Sequence, residues 1–433
     1  MSIAMTKILL PALLLCFPIP DLAALEPAST GPELSWDDCA REALANNPGL
    51  KAKKLAIDQY KHLYLAGYNA YLPKVNLSHS VTRSGGEGIS PSNRWGLSVS
   101  ASEPIFDLGA MSSIRSSRIN YEKIVSDYRV GSAALRQELY AAFMNLAVAQ
   151  EQARVDERIL KIRDQNARLI KLKYDSGLES RGNMLYAVAL YELSKVNAAK
   201  SARSLNISRR ELLKSMGAAE YRPLAVKAEL SVPEPAFRPE ELKTMIEGLP
   251  RFVSQKKSVE SQKERLLTAR YDLFPVLSAS QSMSWSGPRE FDVDRSWSMG
   301  LSLSLPLLSG GLTYYPNSTR AAKLALRASE ESLRELKLSL ENDILNGYEN
   351  YLNARDAAGA NISVIAASEE RYKESQIKYM AGQISFADLA IVEQSMVDAQ
   401  QNQLQYLRNA NNGKAALEAL LGAGLEDGAA AGK

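Results

Sequence analysis

The side chains able to do chemistry are few in this sequence, and their spacing assembles no reactive centre. The two histidines, His62 and His79, do not have the spacing of metal ligands. A serine and a lysine in the spacing of one class of acyl-transfer enzymes occur at Ser254 and Lys257, but the companion motifs of those enzymes are absent. The glycines within residues 85–88 precede no lysine of a phosphate-binding loop. We therefore predict that the protein is not an enzyme and has no cofactor and no metal.

Charge and cysteine content exclude further classes of site. The chain has 52 basic and 49 acidic residues, so its net charge of +3 does not predict a nucleic-acid surface. Cys39 is the only cysteine beyond the first 24 residues. One cysteine allows no intrachain disulfide and no multi-cysteine metal site, and we expect it to be a small core residue.

The N-terminal segment is typical of a secretory signal peptide. Lys7 supplies a positive charge, residues 8–17 form an apolar run, and the small residues Ala23 and Ala24 follow. We predict a signal peptide over residues 1–24, with a buried N-terminal helix or a lipid-anchored protein as alternatives. Export from the cytoplasm is therefore expected.

The elements of the chain come in two copies. Pro48 and Pro250 are 202 positions apart, and so are Trp95 and Trp297. A constant offset over many such residues indicates an internal duplication. We predict a first repeat over residues 34–217, a proline-rich linker in the equatorial region over 218–240, a second repeat over 241–422 and a disordered C-terminal tail over 423–433.

Each repeat contains two segments in which apolar and polar residues alternate. Val75, Leu77 and Val81 alternate with polar residues, and three further segments have the same pattern. The period of two predicts strands of about ten residues with one apolar and one serine-rich face, as in outer-membrane β-strands. An ordinary half-exposed sheet is the alternative. Residues 85–94 are rich in turn formers and are predicted to be a loop between the first two strands.

Aromatic residues lie at both ends of these segments. Those at the ends facing the loops are Trp95, Trp285 and Trp297, and those at the opposite ends are Tyr71, Phe106 and Phe274. Aromatic girdles at the two interfaces of a membrane have this distribution. Four strands cannot close a barrel, since about eight are the practical minimum, and open strand edges are not tolerated in lipid. We therefore infer a barrel shared between chains and an obligate oligomer.

The rest of each repeat has the apolar period of a helix. Apolar residues recur at intervals of three and four over residues 333–351, as in a coiled coil. Residues 110–176 would form a helix on the order of 100 Å long, and residues 178–216 and 34–70 would form helices of about 60 and 55 Å. The two shorter helices, stacked end to end, would match the long one. The alternatives are a helical tunnel and a simple coiled-coil stalk, which would not need the strand pairs.

The order of these motifs resembles the TolC family of outer-membrane efflux proteins over residues 34–422. The resemblance rests on Asn46-Asn47-Pro48, on a proline before the first strand of each repeat, and on the turns that end at Gly177 and Gly382. It implies a mainly α-helical fold with transmembrane β-structure. The implied assembly is a homotrimer, in which four strands per chain form a shared twelve-stranded barrel continued by a long helical barrel. It also implies location in the outer membrane with a large periplasmic portion, and partnership with a periplasmic adaptor and an inner-membrane transporter.

The same resemblance implies a constriction at the periplasmic end of the tunnel. Members of the family have acidic residues there, six and nine positions after the second turn glycine. The first position is Asp388 in this sequence, but the second is Ile391, and the matching position of the first repeat is Asn183. The implied ring therefore has one carboxylate per chain, at Asp388, which would favour cations. A solvated helix residue is the alternative for Asp388.

The helix reversals are the candidate contacts with an adaptor. Gly177-Leu178 and Gly382-Gln383 would form the exposed end of the helical part. The alternative is that these glycines serve only to cap helices, and both interpretations can hold together. Because nothing in the sequence supplies energy, we predict a passive channel-tunnel that exports substrates as part of a tripartite efflux pump. One alternative is the outer-membrane duct of a type I protein secretion system. The alternative of another class is a periplasmic adaptor or structural coiled-coil protein without a channel.

Overall fold

The computed structural model describes residues 31–232, 239–290, 294–307 and 310–430, so the segment predicted as a signal peptide lies outside the described residues. Long helices dominate the described ranges, and the order of elements is the same in both halves of the chain. The helices are α1 (Trp36–Asn46), α2 (Pro48–Gly67), α3 (Leu108–Asp175), α4 (Arg181–Met216), α5 (Leu242–Met245), α6 (Pro250–Tyr271), α7 (Tyr314–Met380), α8 (Phe386–Leu420) and α9 (Leu425–Ala430). The strands are β1 (Glu33–Leu34), β2 (Lys74–Gly86), β3 (Ile89–Phe106), β4 (Ala225–Val226), β5 (Val276–Gly287) and β6 (Arg295–Ser304).

The helix predicted over residues 34–70 is two helices, which corrects the sequence-based expectation. Asn47 between them has an extended backbone, with φ −60° and ψ 119°. Pro48 disfavours a helical conformation of the residue before it, but it fits the first position of a helix. The side chain of Asn47 caps that second helix, because its Oδ1 accepts from Leu50 N at 3.1 Å. Only α2 therefore runs alongside the long helix α3, while α1 turns away from it.

The short helices meet end to end at two glycines. Gly217, after α4, has a positive φ of 78°, and a Cβ at this position would lie 2.7 Å from Cα of Asn47. Asn47 Nδ2 also donates to Ser215 O at 2.9 Å. Gly422, after α8, has a φ of 81°, and its Cβ would lie 2.5 Å from Cδ of Pro250. These close approaches stack α2 on α4 and α6 on α8, beside the continuous helices α3 and α7.

The helices form one layer with a defined order. α3 packs against α4 and α8 in the half near the helix reversals, and against α2 and α6 in the half near the sheet. α7 packs against α8 and α6 in the same way. The order is therefore α4–α3–α8–α7 in the half near the helix reversals and α2–α3–α6–α7 in the half near the sheet. α3 has 68 residues and α7 has 67, so each is about 100 Å long.

The long strands form one antiparallel sheet at the end of this layer, in the order β2-β3-β5-β6. Residues 85–94 are not a loop, as the sequence pattern suggested. Ser84 pairs with Ser92 and Arg83 with Asn93, and the turn is confined to residues 87 and 88. Backbone hydrogen bonds extend the hairpin past the point where the side-chain alternation ends. Gly88, with φ 77°, closes the turn.

A small domain, which we call the belt, covers the middle of the helix layer on one side. It consists of α1, α9, the parallel pair of β1 and β4, and residues 218–232. Its core packs apolar side chains against α3 and α4, among them Cys39, Phe143, Leu212 and Leu425.

The C-terminal tail is another correction, because residues 425–430 form a helix and are not disordered. Leu425 is buried in the belt core. Glu426 accepts from Tyr128 Oη at 2.5 Å and from the hydroxyl of Ser132. Apolar burial and hydrogen bonds to the first half of the chain together order this segment. Residues 431–433 lie outside the described residues.

Candidate functional site

The two faces of the sheet have different chemistry. Its register places serines of all four strands on one face, because they pair directly across the strands. Neighbouring hydroxyls hydrogen-bond there, with Oγ–Oγ distances of 2.7 Å between Ser78 and Ser98 and 2.9 Å between Ser282 and Ser298. The other face is apolar and exposed on β6, where Trp297 is 71% exposed. One face can therefore contact lipid while the other contacts water.

The predicted aromatic residues lie at the two ends of this sheet. Trp95, Trp285 and Trp297 share the apolar face, on neighbouring strands towards the hairpin turns. At the opposite ends Phe106 and Phe274 are exposed. Tyr71 lies at the same end, and its hydroxyl donates to Asp107 O at 2.5 Å. The two sets are separated along the strands, and their role as membrane girdles stays a prediction.

The two helix reversals have the same geometry and are fully exposed at their tips. Gly177 and Gly382 have φ values of 72° and 70°. Leu178 N donates to Lys173 O at 2.8 Å, and Gln383 N donates to Lys378 O at 2.8 Å. These are the bonds that close a helix on a left-handed glycine. Leu178 is 76% exposed.

Asp388 lies in the first turn of α8, next to the second reversal. Its Oδ2 accepts from the hydroxyl of Ser385 at 2.6 Å and from the backbone of Ser385 at 3.1 Å. These hydrogen bonds hold the pKa of Asp388 below its usual value. Asn183 takes the matching position at the start of α4, where its N–H donates to Ser180 Oγ at 3.1 Å. Asp388 is therefore an exposed, ionised residue that forms a capping box with Ser385, the N-cap of α8, and the constriction assigned to it stays a prediction.

A buried ion pair joins the two helical hairpins above the reversals, and sequence reasoning missed it. Arg163 of α3 donates from Nε to Glu393 Oε1 of α8 at 2.9 Å, and both side chains are at most 6% exposed. Glu393 Oε2 accepts from Asn166 Nδ2 at 2.6 Å. Arg163 Nη2 also donates to Gln394 Oε1 at 3.0 Å. The sequence does show that Arg163 and Glu393 each occupy a position of the apolar helical repeat, where an apolar residue is expected.

A second link lies at the tip itself. The hydroxyl of Tyr379, at the end of α7, donates to Glu179 Oε2 in the first reversal at 2.9 Å. The ammonium of Lys173 lies 3.9 Å from the centre of the Tyr379 ring and donates to Tyr379 O. Burial, reinforced by Glu179, raises the pKa of Tyr379 well above its usual value. The two reversals of one chain are therefore tied together.

The part of the chain that the structure describes was also compared with the requirements of a metal site. Over those residues no group of three or more histidine, cysteine or acidic side chains is arranged to hold a metal ion.

None of the described helices combines the length and the apolar character needed to cross a membrane.

Comparison with known proteins gives one consistent result. Residues 39–218 and 244–423 match the family described as outer membrane efflux protein. The alkaline protease secretion protein AprF of Pseudomonas aeruginosa is 22% identical over 420 residues, which cover 83% of this chain and 86% of AprF.

Solved structures share the fold. The CusC structure, described as undergoing transmembrane channel formation, aligns with a TM-score of 0.80 at 17% identity over 89% of this chain and 91% of its own. The open state of the Neisseria gonorrhoeae MtrE outer membrane channel aligns with a TM-score of 0.76 at 20% identity over 90% and 89%.

Proposed function

The chain belongs to the outer membrane efflux protein family, and from that premise we propose that its copies join side by side into a closed ring of three. The protein is an outer-membrane channel for export, with a large helical periplasmic part. In the ring, the sheets would form the pore through the outer membrane and the helix layers would form the tunnel beneath it. The serine face would line the pore, and the apolar face would contact lipid.

The observation that carries this proposal is the pair of free edges that each chain presents. β2 and β6 are the edge strands of the sheet, so each has one unpaired side within the chain. At the same two sides the helix layer ends on α4 and α7. Both helices present exposed apolar residues, among them Leu193 and Val196 on α4 and Leu338 and Ile362 on α7.

These edges differ from each other, and that determines how copies join. β2 and α4 on one side would meet β6 and α7 of the next copy, which is a head-to-tail contact. Such contacts leave no free edge only when they close into a ring. Four strands from each of three copies give the twelve-stranded barrel that the family resemblance implies.

Conduction through this ring would be passive, and we expect the energy to come from partners. A periplasmic adaptor is proposed to contact the reversals at Gly177-Leu178 and Gly382-Gln383, because they form the exposed end of the helix layer. An inner-membrane transporter would deliver the cargo. The leading assembly is a tripartite efflux pump, and the similarity to AprF, which is named for protease secretion, favours a type I secretion duct as the second candidate.

The ring is tested by a charge placed on one edge. Val196→Glu, at an edge position that is 61% exposed, should abolish a heat-modifiable oligomer on gels of the outer-membrane fraction. Leu172→Glu, on the inner helix α3 and 65% exposed, is the matched control and should leave the oligomer intact. Both variants should keep their helical circular dichroism. An oligomer unaffected by Val196→Glu, or a wild-type chain found as a soluble periplasmic monomer, would refute the proposal.

A further inference from the structure

A polar groove runs along the helix layer at the level of the belt. α4 and α8 flank it, α3 forms its floor, and its volume is about 760 Å³. On α3 it is lined by Asn145, Gln152 and Asp156, which share one helix face. Gln150 holds the belt through two hydrogen bonds with the backbone of Val226, of 2.9 and 3.1 Å.

The groove and the belt lie on opposite sides of α3. Gln150 and Gln152 are two residues apart, which is a rotation of about 200° around the helix. A belt on the inner side of the ring would obstruct the tunnel, so in the ring proposed above the belt lies outside. The groove therefore faces the interior of the tunnel.

Amides and hydroxyls dominate the lining of this groove. Nine of its fifteen lining residues carry one of these groups, including Asn197, Gln401, Asn402 and Gln405. The charged lining residues balance, with two carboxylates and two cations. Pockets for drug-like molecules are predominantly apolar and aromatic, so the composition of this groove is of another kind.

The same chemistry continues along α8 towards the constriction. The exposed face of α8 carries Gln394, Asp398, Gln401, Gln405 and Asn409, at the spacing of one helix face. Within this row the side chains bond to each other, from Gln394 Nε2 to Asp398 at 2.7 Å and from Gln405 Nε2 to Asn409 at 3.1 Å. Gln401 is exposed between these two bonded pairs, so its amide can reach a ligand in the groove.

One donor in the groove lacks a partner. Nε of Arg408, a lining residue, is buried and has no hydrogen-bond acceptor among the described residues. A buried donor without an acceptor costs more free energy than an ordinary hydrogen bond contributes. Because this atom has no accessible surface, a molecule in the groove can supply the acceptor only if the Arg408 side chain moves.

We propose that this groove binds extended, uncharged polar segments of a polypeptide cargo in transit through the tunnel. A peptide backbone offers alternating N–H donors and carbonyl acceptors, and an amide side chain matches both. Because the charges of the lining balance, segments of either sign would be neither held strongly nor excluded. The inference rests on the proposed function, because only a ring places the groove inside a duct. It favours polypeptide over an apolar small molecule as the cargo, and so favours the type I secretion duct, the second of the two assemblies proposed above.

The test measures binding by the whole oligomer in detergent. The probe is a fluorescein-labelled twenty-residue peptide of glycine, serine and asparagine, and its affinity is measured by fluorescence anisotropy. The double variant Gln401→Met/Gln405→Met keeps side-chain length and helix propensity but removes both amides. Asn353→Leu, an exposed amide of α7 outside the groove, is the control. We expect the double variant to bind about thirtyfold more weakly, which corresponds to the loss of two hydrogen bonds of ordinary net strength, and the control to bind like the wild type.

Other outcomes separate this inference from the proposed function. Equal peptide affinity of the wild type and the double variant, or no binding by the wild type, overturns the groove as a peptide site. If the double variant binds an apolar cationic dye more weakly than the wild type does, while its peptide affinity is unchanged, the groove is a small-molecule site instead. Absence of conductance in a planar bilayer would refute the proposed channel, while the anisotropy result would still decide whether the groove binds peptide.

Discussion

Removing the carboxylate of Glu393 should loosen the periplasmic end of the protein far more than removing an exposed carboxylate. In the native structure Arg163 and Glu393 are 6% and 5% exposed, and the carboxylate also accepts from Asn166. Glu393→Ala leaves the buried guanidinium with one neutral partner, Gln394, 3.0 Å from its Nη2. Breaking a buried ion pair in this way costs about 3–5 kcal/mol. The matched control is Glu157→Ala, whose pair with Lys161 is exposed and contributes roughly 0.5 kcal/mol or less.

The assay is hydrogen exchange followed by mass spectrometry on the detergent-solubilised protein. Peptides that cover residues 160–180 and 380–396 report the local opening of the two hairpins. A loss of about 3 kcal/mol raises their exchange rates by on the order of a hundredfold, because each 1.4 kcal/mol is a factor of ten. Glu157→Ala should change the same rates by less than about threefold.

The double variant Arg163→Met/Glu393→Met completes the cycle. It removes both charges and replaces them with apolar side chains, so we expect it to be much less destabilised than Glu393→Ala. The reasoning would be refuted if Glu393→Ala exchanged no faster than Glu157→Ala. It would also be refuted if the double variant were as labile as the single one, because the cost would then not come from an unpaired buried charge.

Three further predictions concern the constriction, the stacking joint and the belt. Hydrogen bonds from Ser385 hold the pKa of Asp388 below its usual value, so its charge is present at neutral pH and is lost only as pH falls through that lowered pKa. Single-channel recordings of Asp388→Asn at neutral pH should show lower cation selectivity, and unchanged selectivity would reject the constriction. At Gly177, φ is 72° and an added Cβ would meet nothing within 4 Å, so Gly177→Ala should lower the free energy of unfolding by only about 1–2 kcal/mol. At Gly217 an added Cβ would lie 2.7 Å from backbone, so Gly217→Ala should lower the thermal midpoint of unfolding much further than Gly177→Ala does. Equal midpoints of the two variants would contradict this. Cys39 is fully buried and burial raises the pKa of its thiol to about 12, so a maleimide should not label it at neutral pH. Leu425→Asp, which undocks α9 from the belt core, should accelerate labelling of Cys39 at least tenfold, as measured by mass spectrometry. Rapid labelling of the wild type would refute the burial.

The repeating pattern was readable from sequence because it depends on local chemistry. The tryptophans and prolines at a constant offset mark strand and helix ends, and alternation of serine with apolar residues predicts a two-faced strand. Recognition of the outer membrane efflux family followed from the order of those marks and is confirmed. The break at Pro48 was also present in the sequence, but the apolar period on both sides of it concealed the change of direction.

What sequence reasoning missed depends on contacts between distant residues. Glu426 orders the tail through Tyr128, almost 300 positions away, and Glu393 meets Arg163 from 230 positions away. No local pattern predicts which of many charged residues will pair across a helix seam. The groove was missed for the same reason, since its three walls come from α3, α4 and α8 and only their packing brings the amides together.

The two stacking joints constrain how the length of this protein can change in evolution. α4 and α8 have 36 and 35 residues and run beside two helices that are continuous past the joints. An insertion of one turn into α4 alone would displace Gly217 from Asn47 by about 5 Å and open the joint. A longer reach is therefore accessible only through insertions of matched size in α3, α4, α7 and α8 together. The length of the helical part should therefore be nearly constant among related proteins, and where it differs it should differ by whole helical turns.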